Sequence, residues 1–247
     1  MSDDAPPDEG RRALLAGAAL LASAGAFRAR AEEAEAMKHV VLLGDSIFDN
    51  AAYVDGGPDV VAQLRAALPK GWQATLKAVD GSTTVDVKRQ LAALPGGVTH
   101  LVVSAGGNDA LSNDGVLDEK ARSVAEALDT LSKVRAAFET NYAAMLDAAT
   151  STKLPVAACT IYDSNYPDAD ARRIANTALG LFNDAITRQV FARGLPLIDL
   201  RLIFDSPFDY ANPIEPSVKG GAKLAHVIAQ VVTTHDFTLK RSEVYAG

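Results

Sequence analysis

A single cysteine, Cys159, stands in 247 residues, which excludes an internal disulfide and any zinc or iron–sulfur centre built from cysteines. It lies inside Val156-Ala157-Ala158-Cys159, where a small buried core residue is favoured over a reactive thiol. No segment is apolar for long enough to make a comfortable transmembrane helix. Positive charge is in deficit: 24 Lys and Arg against 31 Asp and Glu leave a net charge of −7, which argues against a nucleic-acid or anionic-membrane surface. No glycine-rich phosphate loop follows the first apolar run, which weighs against a flavodoxin-like cofactor protein. No internal repeat, low-complexity linker or second domain is visible, and no cofactor or metal is expected. Histidine is scarce, with His39, His100, His226 and His235 making up the whole set.

What is present has the balance of one ordinary globular domain, 48% hydrophobic and 22% charged. Residues 1–36 differ from the rest. Arg11-Arg12 precedes an Ala/Leu/Gly-rich stretch from Ala13 to Phe27, and Ala29-Arg30-Ala31 is a small-x-small cleavage site. This resembles a twin-arginine export signal and predicts export to the periplasm. The alternative is a cytoplasmic protein that starts at Met37.

From residue 37 to 247 short apolar runs alternate with helical periodicity, the signature of an α/β parallel sheet. The expected strands are Val40–Leu43, Trp72–Val79, Leu101–Ser104, Val156–Thr160 and Leu197–Leu200. Trp72, Ala74, Leu76 and Ala78 alternate with polar residues, as in a half-exposed edge strand, whereas the other runs are continuously apolar, as in strands covered on both faces. Between them, Val60/Val61, Leu64 and Leu68 form one helical stripe, and a long helical region runs from about Asp118 to Ala149. Ile174, Ala178, Leu181 and Ala185 form a further stripe, as do Leu224, Ile228 and Val231. All are read as core packing.

Ligands of open parallel sheets bind beyond the carboxyl ends of the strands. Asp45-Ser46, Asp80-Gly81-Ser82, Gly107-Asn108-Asp109 and Tyr162-Asp163-Ser164-Asn165 all fall there, with Glu215 in the loop before the last helix. Ser46, at a strand-to-loop turn, would present its hydroxyl to a carbonyl carbon. The backbone N–H groups of Ser46 and Gly81 and the side-chain amide of Asn108 would donate to a developing oxyanion, each donor being worth roughly 3 kcal/mol of barrier. Asp45 and Asp109 are expected to brace these loops by accepting backbone N–H bonds.

With Leu42-Leu43-Gly44-Asp45-Ser46, Gly106-Gly107-Asn108-Asp109, Gly81 and Pro216-Ser217-x-x-Gly220 in this order, the chain resembles the SGNH (GDSL-type) hydrolases over Met37 to about Thr233. The resemblance implies a flavodoxin-like three-layer sandwich with a five-stranded parallel sheet. It implies a serine nucleophile, a three-part oxyanion hole and activity on esters or acylated substrates. It also implies an aspartate–histidine pair near the C-terminus, and here the chain departs: it reads Asn212-Pro213-Ile214-Glu215. Asn212 stands at the aspartate position and Glu215 at the histidine position.

The four histidines do not supply the missing base. His39 and His100 precede strands at the opposite rim, His226 shares a solvated helical face with Lys219, Lys223 and Gln230, and His235 follows the last helix. If the base is itself an anion, a second carboxylate three residues away would repel it, whereas a neutral Asn212 could hydrogen-bond and orient it. A carboxylate starts as the weaker base, at about 4.3 against about 6.5 for imidazole, and burial beside Pro213, Ile214 and Pro216 would raise it. Tyr162 and Tyr166 are candidates to wall a substrate pocket. Two readings stand: a serine hydrolase acting on a small ester through Ser46 and Glu215, and a catalytically silent binding module for an acylated or carbohydrate ligand.

Overall fold

The computed structural model describes residues 37–247, and the twin-arginine-like segment with its cleavage site lies outside the described residues. In chain order the strands and helices are β1 (Lys38–Gly44), α1 (Val60–Ala67), β2 (Trp72–Leu76), α2 (Val87–Ala92), β3 (His100–Ser104), α3 (Gly107–Leu111) and α4 (Val124–Ser151). There follow β4 (Val156–Cys159), α5 (Ala169–Ala192), β5 (Leu197–Ile198), α6 (Leu200–Ile203), β6 (Tyr210–Asn212), β7 (Glu215–Pro216), α7 (Val218–Thr234) and β8 (Val244–Tyr245).

The main sheet is parallel throughout, in the order β2-β1-β3-β4-β5-β8. The first five positions give the expected flavodoxin-like order, and β8 is a sixth strand that the five-strand expectation omitted. It is two residues long and half-exposed, so it has no apolar run of its own. It is held instead by backbone bonds from Leu197 N to Glu243 O (2.9 Å) and from Asp199 N to Tyr245 O (2.8 Å). β2 is the other edge, but it stops at Leu76 rather than Val79. Lys77 N and Ala78 N both donate to Leu42 O, which breaks the ladder and turns the chain toward Asp80-Gly81.

Alternation along the buried strands divides the core into two layers. Val40, Leu42, Val102, Ala157 and Ile198 pack with α1 and α7 on one face. Val41, Leu43, Leu101, Val103 and Ala158 pack with α4 and α5 on the other. Each long helix has a side-chain cap: Asp59 accepts from Ala62 N, Ser123 from Glu126 N, Asp168 from Ala171 N, and Ser217 from Lys219 N and Gly220 N. Such caps are worth about 1 kcal/mol each. Ser123 also explains why the helical region expected from Asp118 begins later: a 3₁₀ turn occupies Asp114–Asp118, and the helix restarts after its own cap.

Candidate active site

β1 and β3 are the neighbours at which the strand order reverses direction, and both end in a glycine-dependent turn. At Gly44, φ is +131° and an added Cβ would lie 1.6 Å from the carbonyl oxygen of Ser104, so only glycine permits the two strand ends to close up. The Gln90 side chain from α2 grips that glycine from both sides. Its Oε1 accepts from Gly44 N and its Nε2 donates to Gly44 O, both at 2.8 Å. The turn that follows presents Ser46, and Gly106 (φ +127°) starts the turn that presents Asn108.

Glu215 reaches the same place from the other end of the chain. β6 and β7 form a short antiparallel hairpin, and several contacts from outside fix its position. The Tyr162 hydroxyl donates to Ile214 O at 2.6 Å, Asn50 Nδ2 to Pro216 O at 3.2 Å, and Asn165 N to Pro213 O at 2.7 Å. Gly220 lets α7 press against the Asp209 carbonyl, which an added Cβ would meet at 2.1 Å. The outcome is one bond across the chain: Ser46 Oγ donates to Glu215 Oε1 at 3.1 Å. Glu215 is 6% exposed, and its Oε2 has no hydrogen-bond partner among the described residues. Burial raises its pKa to about 7, with the Ser46 bond opposing the shift and Asp80 adding to it.

The remaining expected residues distribute as follows. Asp45 is buried; its Oδ1 accepts from Ile47 N at 3.1 Å, and burial raises its pKa to about 8. Asp109 accepts from both Thr84 N (3.0 Å) and Thr84 Oγ1 (2.7 Å), tying the Gly81 loop to α3. Asn108 Nδ2 donates to Ser82 O at 3.0 Å, which leaves one of its amide hydrogens for another acceptor. Gly81 (φ +78°) sits in the exposed turn just before Ser82 and does not line the cavity that Ser46, Asn108 and Glu215 share.

Asn212 departs from expectation. It is exposed, and its Oδ1 accepts from Ile214 N at 3.0 Å, an Asx turn that shapes the hairpin rather than a bond to the Glu215 carboxylate. The hairpin connection accounts for this, because Asn212 and Glu215 are cross-strand partners through the backbone. The histidines lie away from Ser46. His39 bonds Thr75 Oγ1, His100 stacks on Trp72 and Phe237, and His235 faces Glu243 and Tyr245. His226 is exposed on α7.

Above Ser46 opens a cavity of about 580 Å³ between α3, the Asp114–Asp118 turn, α4 and α5. Tyr162 and Tyr166 both line it. Tyr162 is buried with its hydroxyl committed to Ile214, so it offers the cavity a ring face and no free donor. The stripe on α5 read as core packing divides in two. Ala185 is in the core, whereas Ile174, Ala178 and Leu181 face the cavity with Leu179 and Phe182. Periodicity could not separate these roles, because a ligand wall and a core face share the same spacing. Gln90 and Asn50 were also missed; a polar residue at a buried position of a helical or loop segment was the only trace. Among the described residues, no group of three or more His, Cys, Asp and Glu side chains could hold a metal ion.

The sequence profile of the GDSL-like Lipase/Acylhydrolase family matches residues 42–223. A comparison with curated protein sequences finds no match. Among solved structures, an extracellular lipase from Streptomyces rimosus superposes with a TM-score of 0.58 at 21% identity, over 81% of this chain and 100% of that one. A lipase/acylhydrolase from Enterococcus faecalis gives 0.57 at 24% identity, over 79% and 95%. A phospholipase A1 from Streptomyces albidoflavus NA297 gives 0.58 at 15% identity, over 79% and 98%. At these identities the likeness is one of fold.

Proposed function

Because the chain belongs to the GDSL-like lipase/acylhydrolase family, we propose that it hydrolyses carboxylic esters by acyl transfer through Ser46, with Glu215 as general base. The observation that carries this reading is the 3.1 Å bond from Ser46 Oγ to the buried Glu215 Oε1. A carboxylate at its ordinary pKa would be a poor acceptor for a serine proton. Raised to about 7 by burial, Glu215 is as basic as imidazole while still ionised in a large fraction of molecules at neutral pH.

In this mechanism Glu215 Oε1 takes the Ser46 proton as Oγ bonds to the ester carbonyl carbon. The negative charge that develops on the carbonyl oxygen faces the Ser46 N–H and the free amide hydrogen of Asn108, and Gly81, outside the cavity, takes no part. Collapse breaks the bond to the leaving oxygen, which receives the proton from Glu215, and an acyl-serine remains. A water then gives its proton to Glu215 and attacks the acyl carbon, and the proton returns to Ser46 Oγ as the acid departs. Asn212 orients no imidazole and needs no charge. The apolar wall formed by Leu179, Phe182 and Ile161 favours an ester whose acyl part is apolar over a sugar.

Fluorophosphonate labelling and turnover of p-nitrophenyl butyrate test the assignment. Wild type is expected to label at Ser46 and to hydrolyse the ester, and Ser46→Ala to do neither. Glu215→Gln is expected to slow both by about 10²–10⁴. Because the base must be ionised, kcat/KM should fall tenfold per pH unit below about 7 and level off above it. Labelling that Glu215→Gln leaves unchanged would remove Glu215 as the base. Absence of both labelling and turnover in wild type would leave the silent binding module as the better reading.

A further inference from the structure

Beside Asn113, Asp114 and Asp118, the cavity mouth carries a set of apolar side chains that no described residue covers. α4 is 28 residues long, yet its buried residues all lie from Phe138 onward. Its N-terminal half carries the same stripe outward, with Val124, Leu128, Leu131 and Val134 at i, i+4, i+7 and i+10, leading into Phe138. Leu131 and Val134 line the cavity. Val124 and Leu128 continue the stripe beyond it and are 78% and 58% exposed. Leu111, Leu117 and Ile174, from three other segments, also line the cavity and are themselves exposed. Glu126, Asp129 and Lys133 occupy the other face of this half of α4, where Arg122 pairs with Glu126 and Lys133 with Asp129. Arg135 follows Leu131 by one turn and pairs with Glu139 and with Asp184 of α5. Scattered exposed leucines are ordinary, but an apolar collar gathered from four segments at the entrance of a cavity marks an interaction surface.

We propose that this collar seats the protein on a zwitterionic lipid surface, so that an ester passes into the cavity directly from the lipid phase. The inference rests on the hydrolase reading of Ser46 and Glu215. Continuity selects the occupant: the collar joins the opening through which substrate must enter. A protein packed on it would close that opening, whereas a lipid surface is itself the source of the ester. Charge selects the kind of lipid. Among the described residues around the collar, Lys120, Arg122, Arg172 and Arg173 are interspersed with Asp114, Asp118, Glu119, Asp168 and Asp170, so these form no basic ring for anionic headgroups. Attraction then comes from burial of apolar side chains at the interface.

Sedimentation of the full chain with phosphatidylcholine vesicles tests this, alongside turnover of the soluble p-nitrophenyl butyrate. Wild type is expected to sediment with the vesicles. Leu128→Glu and Val124→Glu are each expected to weaken binding at least tenfold while soluble-ester turnover stays within twofold, since neither residue lines the cavity. These variants separate the collar from every other part of the chain. Wild type that hydrolyses the soluble ester but stays in the supernatant would overturn the proposal. So would vesicle binding that both variants retain, or a concentration-dependent dimer in analytical ultracentrifugation that Leu128→Glu abolishes. Collar-dependent vesicle binding without soluble-ester turnover would support the docking surface and count against the hydrolase reading alone.

Discussion

Ser46 and Glu215 come from opposite ends of the described chain, and the hydrogen bond between them forms where a second carboxyl, Asp45, is already buried. Two ionised carboxylates in so dry a place would repel, and the shifts record the resolution: burial first, and Glu215 in addition, hold Asp45 neutral up to about pH 8. Asp45 therefore acts as a neutral brace that accepts from Ile47 N, and in the proposed mechanism Glu215 is the group that exchanges protons. The sign of the consequence for stability follows from linkage. A carboxyl whose folded pKa is raised binds its proton more tightly folded than unfolded, so its contribution is fully favourable below the unfolded pKa of 3.8 and is lost as pH rises through about 8. Asp45→Asn keeps the acceptor and cannot ionise. Its Tm should match wild type near pH 4 and exceed it by a margin that widens up to about pH 9. The Glu215 shift has the same sign but is present in both proteins and largely cancels in the difference. Thermal unfolding of the pair across this range is the measurement, and a constant offset would mean that Asp45 ionises normally in the folded state.

The elements that carry these residues differ in how far they could be read from sequence. The β1 and β3 turns were legible because a strand end, a glycine and a short polar residue all point to the same local geometry. Gly44 shows why the glycine is needed: no other residue fits under the Ser104 carbonyl. Gln90 was not legible, because a polar residue in a six-residue helix ordinarily faces water, and only the tertiary fold turns it onto Gly44. Asn212 misled for a related reason. Its place in the pattern suggested a partner for Glu215, but the hairpin pairs the two residues only through their backbone and turns the Asn212 side chain to Ile214 N. The cavity wall on α5 was hidden behind a periodicity that core packing also produces. Gln90 can be tested directly. Gln90→Leu leaves the buried Gly44 N–H without an acceptor, which should cost about 2 kcal/mol in urea denaturation. It should also loosen the turn that aims Ser46, lowering kcat on p-nitrophenyl butyrate several-fold with little change in KM. Gln90→Glu keeps the acceptor and should recover part of the loss. Equal stability in all three proteins would show that the clamp is incidental.

Across the whole molecule, the candidate site and closure of the sheet are kept apart. Ser46, Asn108 and Glu215 gather at the carboxyl ends of β1 and β3, while β8 seals the far edge four strands from β1, roughly 19 Å at about 4.8 Å per strand. Five strands followed from apolar runs, and their flavodoxin-like order from the resemblance carried by the Gly44-Asp45-Ser46 and Gly106-Gly107-Asn108-Asp109 motifs. The sixth did not, because two half-exposed residues leave no pattern and owe their place to backbone bonds with β5. His235 belongs to that seal. It lies against Phe237, and its Nδ1 faces Glu243 and Tyr245, so the last helix is joined to the last strand without reaching Ser46. Removing residues 241–247 therefore separates the two functions. It deprives Leu197 N and Asp199 N of their acceptors and His235 of its partners, and should cost about 3 kcal/mol of stability in urea denaturation. The Ser46–Glu215 bond and the cavity above it draw on none of these residues. Well below its lowered Tm, the truncated protein should thus react with fluorophosphonate at Ser46 as fast as the full chain. A labelling rate that falls in step with stability would show instead that the edge strand and the active site form one cooperative unit.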